Sequence, residues 1–324
     1  MKQSMGFNWL PSQAAEAVKN LDLSLTVRKV PEIDAALSKT VLFRGKKFRP
    51  TLCFLVGHLL GLETQRLSPY ARAAEFVHAA TLSHDDVIDE SPVRRNRPTL
   101  NARVSNARAV LAGDLLLARV MEELSALGEI HIIHDLSQTV EALVTGEWLQ
   151  LEARGVVEVN RAHLETVARM KTASLMSWSC LAPARLAQVP ESALPLYQKF
   201  GDSLGIAFQM IDDIIDYDTH GDKPFAKDLR EGLVNFVTLE MLEANPALVS
   251  PIRKMLGTEF SSSGLPWKPQ ELQFACDRVR SRTQAKLEAA DQYLAQLVSL
   301  QKQVDSESLK ALQSILVYLK ERVQ

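Results

Sequence analysis

Cysteine is scarce in this chain of 324 residues, neither charge dominates, and no apolar run is long. The three cysteines, Cys53, Cys180 and Cys276, are far apart and form no C-x-x-C pair, which excludes a zinc ribbon and a disulfide framework and leaves buried, reduced thiols as the expectation. A formal charge of -2 argues against a nucleic-acid partner, because such proteins carry a basic surface. No stretch of 18 apolar residues exists, and the N-terminal residues MKQSMGFNWLPSQAAEAVKN lack the apolar core of a signal peptide. A cytoplasmic protein with no integral membrane segment is therefore expected. Alternating strand patterns flanked by turn signals are absent too.

What is present is helical periodicity, in a chain with 46% hydrophobic residues and no linker or composition shift in its first 255 positions. Amphipathic patterns predict helices over 12–28, 31–43, 51–62, 68–90, 106–127, 130–154, 195–218, 270–300 and 306–322. The expectation is an all-α chain with one large helical core, a single domain spanning 1–324 with the helices of 270–322 included.

One stretch organises the rest. In HDDVIDESPVRRNR (84–97), Asp85, Asp86 and Asp89 end an apolar run, and Arg94 and Arg95 follow a proline-marked turn. On a helix, Asp85 and Asp89 share a face that continues back through Leu82 to His78. Carboxylates crowded on one face repel each other unless a divalent cation joins them. Hard oxygen donors suit magnesium, which binds through one or two carboxylates together with substrate phosphates. The planar fork of arginine matches phosphate oxygens. Taken singly, such a cluster is also what a solvated helix end looks like. A second copy changes that reading: GDSLGIAFQMIDDIIDYD (201–218) holds Asp212, Asp213 and Asp216 at the same D-D-x-x-D spacing, in a strongly apolar segment where unpartnered carboxylates are costly. Two such helices facing each other would hold metal ions on both sides of one diphosphate.

Cations cluster elsewhere as well. RGKKFRP (44–50) places Arg44, Lys46, Lys47 and Arg49 at the start of an apolar helix, where side chains and free N–H groups both favour an anion. Lys171 and Thr172 head the apolar segment after Met170, and Lys223 and Lys227 lie in the loop that follows the second aspartate motif. Glu147 and Gln150, in GEWLQLE, are polar residues in an apolar setting, suited to structural hydrogen bonds.

Over roughly residues 40–240 these segments, in order, resemble the trans-isoprenyl diphosphate synthases of the polyprenyl synthetase family: GKKFRP, EFVHAATLSHDDVID with SPVRRNRPT, AGDLLLAR, GEWLQLE, KTASL, GIAFQMIDDIIDYD and GDKPFAKDLREG. The resemblance implies the type I isoprenoid synthase fold, a single-domain helical bundle around a central cavity. It implies head-to-tail condensation of isopentenyl diphosphate with an allylic diphosphate, three magnesium ions and a homodimer. It places isopentenyl diphosphate contacts on Lys46, Arg49, His78 and Arg95, an allylic contact on Arg94, and further allylic-side contacts on Lys171, Thr172, Gln209 and Lys223. Magnesium falls on Asp85, Asp89 and Asp212, with Asp86, Asp213 and Asp216 completing the metal-binding and catalytic set. Two positions depart from the family's E-G-K-x-T, where this chain has EGLVN: Leu233 stands for lysine and Asn235 for threonine.

Chain length is expected to be read on the helix that carries Asp85. Ala80, five residues earlier, and Val77 and Ala73 beyond it are too small to block a growing chain, and only Phe76 has the bulk to swing across. This implies a medium- or long-chain all-trans polyprenyl product. A short-chain farnesyl or geranylgeranyl diphosphate synthase is the alternative. A terpene cyclase lacks use for the basic cluster and the second aspartate motif, and a non-catalytic subunit of a heteromeric synthase would be expected to have lost aspartates.

Overall fold

The computed structural model describes residues 10–25, 33, 36–37, 43, 45–94, 96–218, 225–261, 264–301 and 303–322. The expected helix over 31–43 falls largely outside them, as do Arg44, Arg95 and Lys223. The all-α expectation holds. Besides helices, the described residues contain one two-stranded hairpin, β1 (Val93–Arg94) against β2 (Arg97–Pro98). The chain packs as two compact units, each assembled from separate segments.

The first unit comprises Met1–Val140, Trp178–Gln198 and Val298–Ser314. Its early helices are α1 (Ser12–Lys19), α2 (Phe48–Leu59) and α3 (Thr64–Ile88). Helix α2 is buried at every position from Pro50 to Leu59. Its Gly57 lets α3 fold back closely, since a Cβ there would come within 2.3 Å of the Leu67 side chain. Helix α3 buries Ala71, Ala73, Ala74, Ala79 and Ala80, so neighbours approach it on several sides. The hairpin, α4 (Leu100–Arg103) and α5 (Asn106–Leu127) follow. Ser83 donates to the carbonyl of Ala109 at 2.8 Å, and the His84 ring lies against Gly113, where a Cβ would sit 2.2 Å from Nε2. These contacts set the register of α3 and α5.

The second unit comprises Glu141–Ser177, Lys199–Leu297 and Ile315–Gln324. Its helices include parts of α6 (Ile130–Glu152), α8 (Ser174–Leu186), α9 (Leu194–Ile215) and α14 (Ser306–Glu321). Between α7 (Arg161–Val167) and α8 the chain forms a π-helical segment, Ala168–Ala173. Three glycines admit close approach to that segment and the turn after it. A Cβ at Gly146 would lie 2.9 Å from the Lys171 nitrogen, one at Gly201 2.4 Å from the Ser177 Cα, and one at Gly205 2.3 Å from the Ala173 Cα. The unit is completed by α10 (Lys227–Arg230), α11 (Phe236–Ala244), α12 (Val249–Met255) and α13 (Pro269–Ser299). The short helices α4, α7, α10 and α12 carry too few turns for a periodic signal, and they went unread in the sequence. No helix among the described residues is long and apolar enough to cross a membrane.

Candidate functional site

In the first unit, α3 delivers the first aspartate motif at its C-terminal end. Asp85 and Asp89 are half-buried and Asp86 is fully buried. Although acids and bases are segregated along the sequence, Arg94 folds back in space: its Nε donates to Asp86 Oδ1 at 2.8 Å. The loop is pinned to the helix end by further bonds, Ser91 N to the Asp86 carbonyl at 2.9 Å, Asn101 Nδ2 to the same carbonyl at 3.1 Å, and Thr99 Oγ1 to the Ser91 carbonyl at 2.8 Å. Sequence reasoning missed Thr99 and Asn101, because a hydroxyl and an amide after a proline carry no sign of what they will reach.

At the start of α2, Lys46 is exposed while Lys47 caps the helix with φ 49 and donates to the carbonyl of Val18 at 3.4 Å. Arg49 differs from both: its Nε is buried and makes no hydrogen bond among the described residues. Burial pulls the guanidinium down to about 10 while the Glu75 carboxylate pulls it up, so it stays charged at neutral pH. A buried donor lacking an acceptor is suited to an anion. His78 is half-buried on α3 two turns before Asp85. Phe76, Val77 and Ala80 are fully buried on the same helix, and the Phe76 ring packs at 5.7 Å from that of Phe43.

In the second unit, the polar side chains of α9 have distinct tasks. Thr172, on the π segment, donates to Gln209 Oε1 at 2.7 Å, and Gln209 Nε2 donates to Asp213 Oδ1 at 2.8 Å. The other oxygen of Asp213 accepts the backbone N–H of Phe236 at 2.9 Å. Asp216 accepts the N–H groups of Lys227 at 3.0 Å and Asp228 at 3.2 Å, and Asn235 donates to Asp228 Oδ2 at 2.8 Å. Asp213 and Asp216 thus hold the loop after the motif against the helix. Burial drives the Asp213 carboxyl well above the ordinary range, and the nearby charge of Asp228 adds to the effect against the bonds from Phe236 and Gln209. Asp212, half-exposed, lies 3.6 Å from Arg322 at the end of α14, whose guanidinium sits 5.5 Å over the Phe208 ring. Nothing in the sequence ties Arg322 to this motif. Lys171 forms an ion pair with Glu147 of α6.

Leu233 and Asn235 have different weights. Asn235 caps α11, accepting from the Thr238 N–H at 3.0 Å, a task that threonine or asparagine performs. Leu233 is half-exposed in the loop held by Asp216 and Asp228.

The donor set fits a hard divalent cation: carboxylate oxygens, no thiol among them, and an excess of negative charge around Asp213, Asp216 and Asp228. Among the described residues no three acidic, imidazole or thiol side chains form a ready-made metal cage.

The polyprenyl synthetase family model matches residues 30–265. The octaprenyl diphosphate synthase of Escherichia coli is 36% identical over 192 residues, which cover 58% of this chain and 59% of that protein. The chain thus spans less than two thirds of that relative's length. The crystal structure of a decaprenyl diphosphate synthase from Rhodobacter capsulatus superposes with a TM-score of 0.83 at 27% identity, covering 96% of each chain. A polyprenyl synthase from Caulobacter crescentus, solved in complex with calcium and isoprenyl diphosphate, shares the fold with a TM-score of 0.75 at 24% identity, over 96% of this chain and 94% of that one. With the match running through both aspartate motifs and over most of its length, this chain belongs to the polyprenyl synthetase family.

Proposed function

We propose that the chain is a magnesium-dependent trans-prenyltransferase that joins isopentenyl diphosphate head to tail to an allylic diphosphate, giving a medium or long all-trans polyprenyl diphosphate. The observation that carries this reading is the presence, in each unit, of an aspartate-rich helix end beside cationic or hydrogen-bonding groups suited to phosphate. Asp85, Asp89 and Asp212, each half-buried, are the groups through which magnesium would be held. Magnesium held there, three ions by family expectation, would supply Lewis-acid stabilisation of the leaving diphosphate.

The protein's own part is to bind, neutralise and exclude water. Arg94, Lys171 and Lys223 stabilise negative charge as the allylic C–O bond breaks, and Thr172 and Gln209 orient the same diphosphate. Lys46, Arg49, His78 and Arg95 hold isopentenyl diphosphate, whose double bond attacks the allylic carbon as the C–O bond breaks, and the released diphosphate then accepts the proton lost from the product cation. Apolar walls keep water from the allylic cation. Incubation with labelled isopentenyl diphosphate and farnesyl diphosphate tests the reading: elongated, dephosphorylated polyprenols are expected. A cyclic hydrocarbon would point instead to a cyclase, and no product without a partner chain to a non-catalytic subunit.

Product length follows from α3. An isoprene unit spans about one helical turn, so small side chains at Ala80, Val77 and Ala73 leave room for about six to nine units. Ala80→Phe is expected to shorten the product to about three or four units, one turn of chain each, while the first condensation continues. Chromatography of the dephosphorylated products reads both; a mutant with unchanged length would show that another wall sets the limit. Leu233 leaves the allylic diphosphate with one cation fewer than the family pattern. Leu233→Lys is therefore expected to lower the allylic KM, and an unchanged or higher value would mean that the loop stands away from the diphosphate.

The chain is read as a cytoplasmic homodimer. Supporting this, α6 exposes Ile130, Val144 and Trp148, the indole residue being 65% exposed, on one stripe of helix. Light scattering at micromolar concentration tests the dimer.

A further inference from the structure

Glu147 has no place in the reaction described above, and its surroundings suit it poorly to a purely structural one. It lies on α6 and is 9% exposed. Apart from the contact with Lys171, neither of its carboxylate oxygens has a hydrogen-bond partner among the described residues. Its counter-charge is the ammonium of Lys171, which meets Oε2 as an ion pair. A buried carboxylate stripped of hydrogen bonds is strongly unfavourable unless a cation is held against it. As a stabilising device such a pair is weak, since apolar side chains of similar shape commonly stabilise as well or better. It is effective at fixing where a cation stands.

The backbone enforces the pairing. At Gly146 a Cβ would sit 2.8 Å from the Met170 Cβ and 2.9 Å from the Lys171 backbone nitrogen, so α6 and the π segment approach about as closely as glycine allows. Glu147 is thereby set beside Lys171 by the helix register and not by loop conformation. The π segment contributes too: single-turn π insertions re-aim side chains at functional positions, and this one carries Lys171 and Thr172, of which Thr172 is already committed to Gln209.

We propose that Glu147 is the positioning residue for Lys171. It holds the ammonium in place, then yields it to the allylic diphosphate, whose several negative charges outweigh one carboxylate. The inference rests on reading Lys171 as an allylic diphosphate contact.

The test is a double-mutant cycle on the full-length protein with E147Q, K171Q and the double variant, read by calorimetry of magnesium pyrophosphate binding and by steady-state kinetics. Because the two side chains act as one unit, E147Q is expected to weaken pyrophosphate binding and raise the allylic KM, each about tenfold, and to add nothing to K171Q. The KM for isopentenyl diphosphate should stay within about twofold, as expected for a site outside the coupled pair. Effects of E147Q and K171Q that add in full overturn the proposal, as does a lower Tm in E147Q with pyrophosphate affinity and both KM values unchanged. An approach without substitution at 147 uses NMR of 13C-dimethylated lysines. The Lys171 signal, assigned by its loss in K171R, is expected to shift when magnesium pyrophosphate is added, and an unmoved signal overturns the proposal. Coupled pyrophosphate binding in a protein that forms no polyprenol would refute the prenyltransferase reading and leave the positioning role standing. Polyprenol formation with additive variants would do the reverse.

Discussion

Asp85→Ala and Asp212→Ala are each expected to lower kcat by about a thousandfold or more while leaving the fold intact. A metal ligand lost from the leaving-group side removes several kcal/mol of transition-state stabilisation, and about 4 kcal/mol corresponds to a thousandfold in rate. The fold should tolerate both changes, because both residues are half-buried. The contact of Asp212 with Arg322, at 3.6 Å and partly exposed, belongs to a class of ion pair worth about 1 kcal/mol or less. Asp86, Asp213 and Asp216 are poorer test sites. They are buried, and their hydrogen bonds hold the following loops, so alanine there mixes chemistry with folding. Turnover of either first variant within tenfold of wild type at saturating magnesium, with an unchanged Tm, would sink the metal assignment.

The largest expected loss of stability lies outside the aspartate motifs. Glu240 on α11 has no exposure, and three arginines converge on it: Arg161 Nη1 at 2.7 Å and Arg282 Nε at 2.7 Å on Oε1, with Arg278 Nε on Oε2. Glu240→Ala would leave these guanidiniums facing one another around a void, and breaking a buried ion pair from one side costs about 3–5 kcal/mol. In a chain of this size that corresponds to a fall in Tm of roughly 10 °C. Burial by itself would raise the Glu240 carboxyl, but the hydrogen bonds from Arg282 and Arg278 and the charge of Arg161 outweigh it and hold the group below its ordinary 4.5. A carboxylate depressed in the folded state contributes stability above its unfolded value and loses it as pH falls through the folded one. The difference in stability between wild type and Glu240→Ala should therefore be full at pH 7 and shrink below about pH 4, under the unfolded carboxylate value. Urea melts across pH check this, and a constant difference down to pH 3 would show that lost packing, not charge, is responsible.

The long helices and both aspartate motifs were legible in the sequence because each rests on spacing along one element. Asp85 and Asp89, or Asp212 and Asp216, are visible as pairs without knowledge of any neighbour. What could not be read depends on which elements meet. The sequence sets Arg94 apart from the acids, yet the hairpin returns it to Asp86. Glu147 and Lys171 stand 24 positions apart, and their meeting depends on Gly146, whose significance appears only when the π segment is seen against it. Asn235 looked like a departure from the family pattern and proves to be a helix cap. Leu233 has no such role among the described contacts of its side chain.

The π segment also restricts how the length of this chain can change. A π turn holds one residue more than an α turn, so α7 and α8 form one continuous rod whose two halves are out of helical phase by about 100°. Ala173 can therefore meet Gly205 while Thr172 meets Gln209 and Lys171 meets Glu147. Deleting a single residue anywhere in 168–173 would return the rod to regular α geometry and swing one half by that angle, parting all three contacts at once. Point substitutions at exposed Arg169 leave the residue count untouched, whereas a one-residue gap in the same turn is equivalent to rotating a whole helix. In this stretch tolerance to exchange and tolerance to deletion come apart, and a relative aligned with a gap there would have to have rebuilt the packing of α6 and α9 around it.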